Sequence, residues 1–178
     1  MKHLLIGLVA LALTGSALAQ KTTFNLSLAP DVALEGSSER IIGLTLSIWG
    51  ENPQEALSIG FVNGSTADSS GISFGWLNYA EHYDGLQFGW ANNTTGNMNG
   101  WQHGIGNHVG GDFYGLQTGV VNSVGSLKGL QIGLLNHAFK ASAGAQIGLL
   151  NIIRENDMWF GGLPDRVAPA MLFVNWRF

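Results

Sequence analysis

Apolar and polar residues alternate along this chain in a motif that returns every 14 or 15 residues. The motif reads Gly-apolar-x-x-Gly-apolar-x-Asn. Successive side chains on a strand point to opposite faces, so the spacing of two predicts β-strands, and the two glycines of each copy weaken helices. The copies are ALSIGFVN at 56–63, GISFGWLN at 71–78, GLQFGWAN at 85–92, GWQHGIGN at 100–107, GLQTGVVN at 115–122, GLQIGLLN at 129–136 and GAQIGLLN at 144–151.

Each predicted strand has a bulky apolar face and a small or polar face. In GLQIGLLN, strict alternation places Leu130, Ile132, Leu134 and Asn136 on the first face and Gly129, Gln131, Gly133 and Leu135 on the second. His103 and Thr118 also fall on the apolar face, where a polar side chain in a membrane would be costly.

The strands continue beyond the repeats at both ends. Polar stretches rich in Asn, Asp, Gly and Ser separate the copies and predict turns. Two alternating segments, TFNLSL at 23–28 and IGLTLSI at 42–48, precede the copies, and 170–178 alternates after them. The alternation pattern therefore predicts about ten strands, and we expect an all-β antiparallel meander closed into a barrel.

The first 19 residues have the pattern of a secretory signal. Met1 to Ala19 has a basic start, an apolar centre and a small-residue end, which predicts cleavage before Gln20. An N-terminal transmembrane anchor is the alternative, although the apolar run is shorter than the roughly 20 residues that a span needs. Residues 20–178 then form a single domain. The chain has no Cys, so neither disulfides nor thiolate metal sites are available.

Charged residues are only 11% of the chain, and the net charge at pH 7 is -4. No basic patch marks the sequence, which excludes a nucleic-acid partner. So few charges are typical of a surface that does not face water, or of a small Gly-rich β fold with uncharged polar loops.

The C-terminal segment points to the outer membrane. Its last residue is Phe178, and Trp176, Val174 and Leu172 precede it at every second position. This ending resembles the terminal strand of bacterial outer-membrane β-barrels. The resemblance implies contact with outer-membrane lipid and recognition by the barrel-assembly machinery. Six tryptophans could then supply an interfacial aromatic belt: Trp49, Trp76, Trp90, Trp101, Trp159 and Trp176.

The tandem copies support a second interpretation. From 56 to 151 the chain resembles small exported bacterial surface-repeat proteins built from GLxxGLxN units. This resemblance implies a periplasmic, secreted or surface-attached protein. The alternative fold is a β-solenoid of short repeats, with the apolar face inside and the asparagines at the corners.

The sequence holds little that indicates chemistry. His82, His108 and His137 lie in predicted turns, and we expect solvated side chains rather than metal ligands. No nucleophile–base pattern is visible, so we predict no catalytic residues and no cofactor. The longest break in the period, 152–169, is the candidate interaction loop for an unknown surface partner. Its candidate residues are Arg154, Trp159, Asp165 and Arg166.

The predicted function is therefore non-catalytic. The leading prediction is an outer-membrane β-barrel with a structural, surface-interaction or narrow-pore role. The alternative is a soluble or surface-attached β-repeat protein that binds a partner.

Overall fold

The computed structural model describes residues 22–178, and the predicted signal segment lies outside them. These residues form a parallel β-solenoid. The strands are β1 (Thr22–Ala29), β2 (Val32–Ala33), β3 (Ile41–Glu51), β4 (Leu57–Gly64), β5 (Ser69–Phe74), β6 (Leu77–Ala80), β7 (Tyr83–Phe88), β8 (Ala91–Thr94), β9 (Met98–Ile153) and β10 (Ala170–Arg177). The all-β prediction is confirmed. The predicted closed barrel is wrong, and the solenoid alternative is supported.

Each copy of the motif is one coil of the solenoid, and it pairs in parallel with the copy before it. Leu57 is in register with Ile72, and Ile72 with Leu86. Leu86 is in register with Trp101 at the start of β9, which runs without interruption through four further copies. We number the coils 1 to 7 by the starts of their motifs: Ala56, Gly71, Gly85, Gly100, Gly115, Gly129 and Gly144.

The two glycines of the motif make this close stacking possible. Gly115 has a φ of 142°, and a Cβ there would meet the carbonyl oxygen of Gly100 in the preceding coil. A Cβ at Gly119 would meet the carbonyl oxygen of Gly104 and come within 2.7 Å of Asn107 Nδ2. Only glycine leaves this room, so the motif glycines are set by coil stacking.

Two ladders of amide side chains run through the interior. In coils 1 to 6 the Asn at the end of the motif donates from Nδ2 to Oδ1 of the Asn in the next coil, at 2.7–3.0 Å. Each Gln from coil 4 onward donates from Nε2 to Oε1 of the Gln in the preceding coil, at 2.7–2.9 Å. The Asn ladder contains Asn63, Asn78, Asn92, Asn107, Asn122, Asn136 and Asn151, and the Gln ladder contains Gln87, Gln102, Gln117, Gln131 and Gln146.

These ladders explain why parallel coils replace the expected meander. Parallel stacking sets like residues side by side, so an amide inside a ladder finds its donor in one neighbouring coil and its acceptor in the other. An antiparallel meander would set the Asn end of one copy beside the Gly start of the next, and the amides would lose their partners.

Apolar side chains complete the interior opposite the amides. They form two short stacks, which pack into one cluster of buried residues: Ala80, Val109, Val124, Ala138 and Ile153 with Tyr83, Met98, Phe113, Leu127 and Ala141. The solenoid alternative was expected to bury the bulky apolar face of the motif, and that expectation is wrong. The small and polar face is inside instead.

Both ends of the solenoid are covered. At the N-terminal end, β2 folds back antiparallel on β1, and β1 lies parallel to β3. At the C-terminal end, β10 runs antiparallel to coil 7 and stops the repeat. Gln146 Oε1 in this last coil has no hydrogen-bond partner among the described residues. Covered edges prevent other strands from adding to the sheet.

Candidate functional site

The bulky residues of the motif form an exposed apolar face that wraps around one bend of the solenoid, which lies at Gly75–Trp76 in coil 2 and at Gly89–Trp90 in coil 3. In GLQIGLLN, Gln131 and Asn136 are buried, whereas Ile132, Leu134 and Leu135 are exposed. Four residues therefore separate the two buried amides, so the strict alternation breaks at Gly133. This corrects the sequence-based assignment, which placed Asn136 with the apolar residues and Leu135 opposite them.

The same positions are apolar in coil after coil, and the face extends onto the strands at both ends. Leu44 and Leu46 of β3 are in register with Leu57 and Ile59 of coil 1, and Val174 of β10 with Ile147 of coil 7. The central row is the most exposed part of the face. It contains Phe61, Trp76, Trp90, Ile105, Val120, Leu134 and Leu149.

The N-terminal half of this face is aromatic and tightly ordered. The rings of Trp76 and Trp90 are stacked with centroids 4.8 Å apart and planes 2° apart. Phe74 and Phe88 stack in the neighbouring row at 5.1 Å and 13°. The rings stack along the solenoid axis, so they cover one another's faces and present their edges to the outside.

Three polar groups within the face, on Trp101, His103 and Thr118, bond to one another. The indole Nε1 of Trp101 donates to Thr118 Oγ1 at 2.8 Å, and the same hydroxyl lies 2.8 Å from Nδ1 of His103. The cost expected for His103 and Thr118 on an apolar surface is thereby reduced, because each bonds within the face. No Asp, Glu, Lys or Arg occurs within the eight-residue motifs of coils 1 to 7.

The predicted assembly-signal residues lie on the strand that covers the C-terminal end. Leu172, Val174 and Phe178 are exposed, and Trp176 Nε1 donates to the carbonyl of Pro164 at 2.8 Å. Val174 continues a row of the apolar face. Their role as an assembly signal stays a prediction. That prediction assumed a barrel, whereas residues 22–178 form a solenoid.

The predicted interaction loop does not gather its polar residues into one site. The guanidinium of Arg154 lies over the ring of Phe139 at 5.1 Å, whereas Arg166 pairs with Asp157 at 3.4 Å. The backbone of Asp165 accepts a hydrogen bond from the amide of Phe178 at 2.8 Å. Trp159 is exposed beside Leu172, where it extends the apolar surface around the end of the solenoid.

The tryptophans do not form two girdles. Four of them, Trp49, Trp76, Trp90 and Trp101, lie on or at the border of the apolar face, and Trp159 and Trp176 lie at the C-terminal end. Across residues 22–178 no group of three or more His, Asp or Glu could hold a metal ion. The same residues contain no helix with the length and apolar character to cross a membrane.

One feature inside the solenoid was missed by the sequence analysis. Ser58 and Ser73 occupy the row that Gln fills in later coils, and beside them lies a small polar cavity. The volume open to the centre of a water molecule is about 20 Å³, which is room for one or two waters and not for a ligand. The buried hydroxyl of Tyr83, which borders this cavity, has no hydrogen-bond partner within residues 22–178, and burial raises its pKa far above the usual range.

No protein-family model matches this chain, and neither the curated proteins nor the solved structures contain a match. The function is therefore inferred from the chain's own geometry, in which the apolar face is the largest unexplained feature.

Proposed function

We propose that this protein is a non-catalytic β-solenoid that is exported and acts by binding a partner through its apolar face. The observation that carries the proposal is the size and continuity of that face. At a strand spacing of about 4.8 Å it is roughly 43 Å long. It wraps around the bend in each coil, because the chain turns back far enough for Gln131 Nε2 to donate to the carbonyl oxygen of His137 at 3.3 Å. Soluble monomers rarely expose apolar patches above about 300–600 Å², and larger ones mark interaction surfaces.

The interior supports binding at the surface rather than passage through the molecule. The Gln and Asn side chains that would line a pore are fully buried and bonded to one another. Residues 22–178 therefore enclose no lumen that could serve as a narrow pore. The ladders instead hold the outer face rigid, so a partner can bind without the entropic cost of ordering that face.

Export remains part of the proposal through the predicted signal at Met1 to Ala19. A solenoid with one apolar side suits the periplasm or the cell surface. At the cell surface, contact with outer-membrane lipid through this side is one form of the same binding function. Fractionation with urea washing distinguishes a surface-attached protein from one in the periplasm or the medium.

The binding role is tested with one charge on the face and a matched charge elsewhere. Leu134→Glu places a carboxylate in the central row, where the wild-type side chain is 55% exposed. Phe139→Glu makes the same kind of change at an exposed residue outside the face. We expect wild type and Phe139→Glu to form a defined complex with protein or vesicles, and Leu134→Glu to lose it. A wild type that stays a free monomer in buffer and ignores vesicles would contradict the proposal.

A further inference from the structure

We infer that the occupant of the apolar face is a bilayer of zwitterionic phospholipid, into which the bend of each coil inserts as a wedge without crossing it. The inference rests on the proposed function and names its partner. The central row, which includes Trp76 and Trp90, lies at the bend and enters the bilayer first.

The bend makes the apolar face a convex edge. The strands before and after the bend form two walls of the coil, and Gln131 on the first wall donates to the carbonyl oxygen of His137 on the second at 3.3 Å. The walls are therefore only roughly 10 Å apart, the spacing of packed sheets. Ile132 is exposed on the first wall, Leu134 at the bend and Leu135 on the second wall.

The backbone remains hydrogen-bonded through the bend. The amides of Gly75 and Trp76 donate to carbonyl oxygens of the neighbouring coils at 3.0 and 2.9 Å. Ladder asparagines bond to the carbonyl groups just before the bend, as Asn122 Nδ2 does to that of Ile132 at 3.0 Å. Water could satisfy these groups on a hydrated edge, but hydrocarbon could not, so an edge that enters lipid needs these internal bonds.

The side chains of the face also suit an apolar medium. Within the eight-residue motifs there is no Asp, Glu, Lys or Arg, whose charge would be costly in a bilayer. His103 and Thr118 lie in the row beside the central row, and Nδ1 of His103 is 2.8 Å from the Thr118 hydroxyl. Because these polar side chains bond to each other, they can leave water at a reduced cost.

The spacing of the rows matches the depth of interfacial insertion. Elements that lie in the bilayer interface bury their apolar side chains roughly 5–10 Å deep. At about 3.3 Å per residue, Ile132 lies roughly 7 Å along the chain from Leu134, and His137 lies roughly 10 Å from it on the other wall. Insertion by about 7 Å therefore immerses the central row and one row on each wall, and it leaves His137 among the headgroups.

Lipid fits this edge better than a second copy of the chain or a rigid protein does. A second copy presents the same convex edge, and two convex edges touch only along a line. A rigid partner would need an apolar groove about 40 Å long to enclose the edge. Acyl chains and headgroups rearrange around a wedge and need no such groove.

The charges beside the face favour lipid without net charge. Of the residues directly before the seven motifs, Glu55 and Asp84 are acidic and Lys128 is basic, and the net charge of the chain is -4. Surface elements that bind anionic lipid have an excess of Lys and Arg on their polar side. Binding here should therefore come from apolar insertion and change little with salt.

The first test is flotation of the protein, purified after expression of the full chain, with phosphatidylcholine vesicles at low and high salt. We expect wild type and Phe139→Glu to float equally well at both salt concentrations. Leu134→Glu and Trp90→Glu should bind at least about tenfold more weakly, because each replaces an inserted apolar side chain with a carboxylate. Circular dichroism checks that the variants are folded.

The outcomes separate the lipid inference from the broader binding role. A wild type that ignores vesicles but forms a defined protein complex, lost in Leu134→Glu, would overturn the lipid inference and leave the binding role intact. A wild type that does neither would overturn both. Binding to anionic vesicles alone, with loss at high salt, would overturn the assignment to zwitterionic lipid.

The second test maps the inserted residues and uses the absence of Cys from the chain. Ile132→Cys, Leu134→Cys and Leu135→Cys each carry an environment-sensitive fluorophore, and Ser142→Cys, at an exposed residue before the next motif, is the control. With phosphatidylcholine vesicles we expect blue-shifted emission, and quenching by lipid-chain quenchers, at the first three positions and not at the control. A response at Ile132→Cys without one at Leu135→Cys would mean that one wall lies flat on the lipid, which would overturn the wedge.

Discussion

The first two coils and the last four use the same backbone repeat but fill it differently. Coils 1 and 2 have Ser58 and Ser73 at the inner position next to a polar cavity, and bulky aromatic side chains outside. Coils 4 to 7 have a continuous Gln ladder inside, and mostly aliphatic side chains outside. The difference shows that the coil backbone needs only glycine, hydrogen-bonded amides and a filled interior. Because the later coils are joined by the Gln ladder, we expect them to unfold more cooperatively than the first two.

The largest difference between the regions should appear on removing one ladder residue. Gln117 donates to Gln102 Oε1 at 2.7 Å and accepts from Gln131 Nε2 at 2.8 Å. Gln117→Ala breaks both bonds and leaves a closed void, so we expect a loss of about 3–5 kcal/mol in the free energy of unfolding. Urea denaturation followed by circular dichroism measures it.

The matched change in the first region is Ser58→Ala. The Ser58 hydroxyl donates to Asn63 Oδ1 at 2.9 Å, but it borders the polar cavity, where water can replace the lost donor. We expect a loss of about 1 kcal/mol or less. Equal losses for the two variants would show that the two regions do not differ in cooperativity.

Extending the ladder into the first region should reduce the difference. Ser73→Gln adds an amide next to Gln87, whose Oε1 already accepts from Gln102, and fills part of the cavity. The hydrogen bond from Ser73 to Asn78 Oδ1 is lost, so we expect a modest net gain of about 1 kcal/mol. Ser73→Ala, which adds no amide, is the control and should be less stable than wild type. A Ser73→Gln variant less stable than Ser73→Ala would mean that the cavity cannot take the longer side chain.

A smaller effect is expected at the hydroxyl that borders the cavity. Tyr83 is buried and its hydroxyl lacks a partner in the part of the chain that the structure describes, so Tyr83→Phe should raise the free energy of unfolding by up to about 1 kcal/mol. Thermal and urea unfolding of both proteins in the same buffer measure the change. A clear loss of stability would indicate that the hydroxyl bonds to water in the cavity.

The smallest effect concerns pH and belongs to the later coils. Burial, and then the nearby positive charges of Arg154 and His108, lower the pKa of His137 below its usual value of 6.5. The unfolded chain therefore binds a proton at this residue before the folded protein does, so stability falls slightly as the pH drops below 6.5. We expect His137→Gln to reduce that slope in unfolding measurements from neutral to mildly acidic pH. An unchanged slope would show that the pH dependence of stability comes from other titrating groups.

The strands of each coil were predictable from the sequence, but the way in which the copies pair with one another was not. The alternation in Leu86, Phe88 and Trp90 predicted strands, and it separated the bulky side chains from Gln87. An apolar exterior around a polar interior produces the same pattern in a barrel and in this solenoid. What distinguishes them is the pairing of Gln87 with Gln102 across 15 residues, which is a contact between copies and not a property of one strand.

The candidate site was predictable in composition but not in shape. The bulky residues were expected to contact the surroundings of the protein, and residues such as Trp90 and Leu134 are exposed. The break of alternation at Gly133, which adds Leu135 to the face, depends on the backbone and was missed. The interaction loop, with Arg154, Trp159, Asp165 and Arg166, stays a prediction.

The unpaired acceptor of Gln146 has a consequence for the history of the chain. It lies where the Gln of an eighth coil would donate if the repeat went on, and β10 covers the place instead. Because each coil bonds only to its neighbours, a gene duplication or deletion of one 14- or 15-residue unit would leave every remaining junction chemically unchanged. Related genes are thus free to differ in the number of units, and the length of the binding surface would change with them.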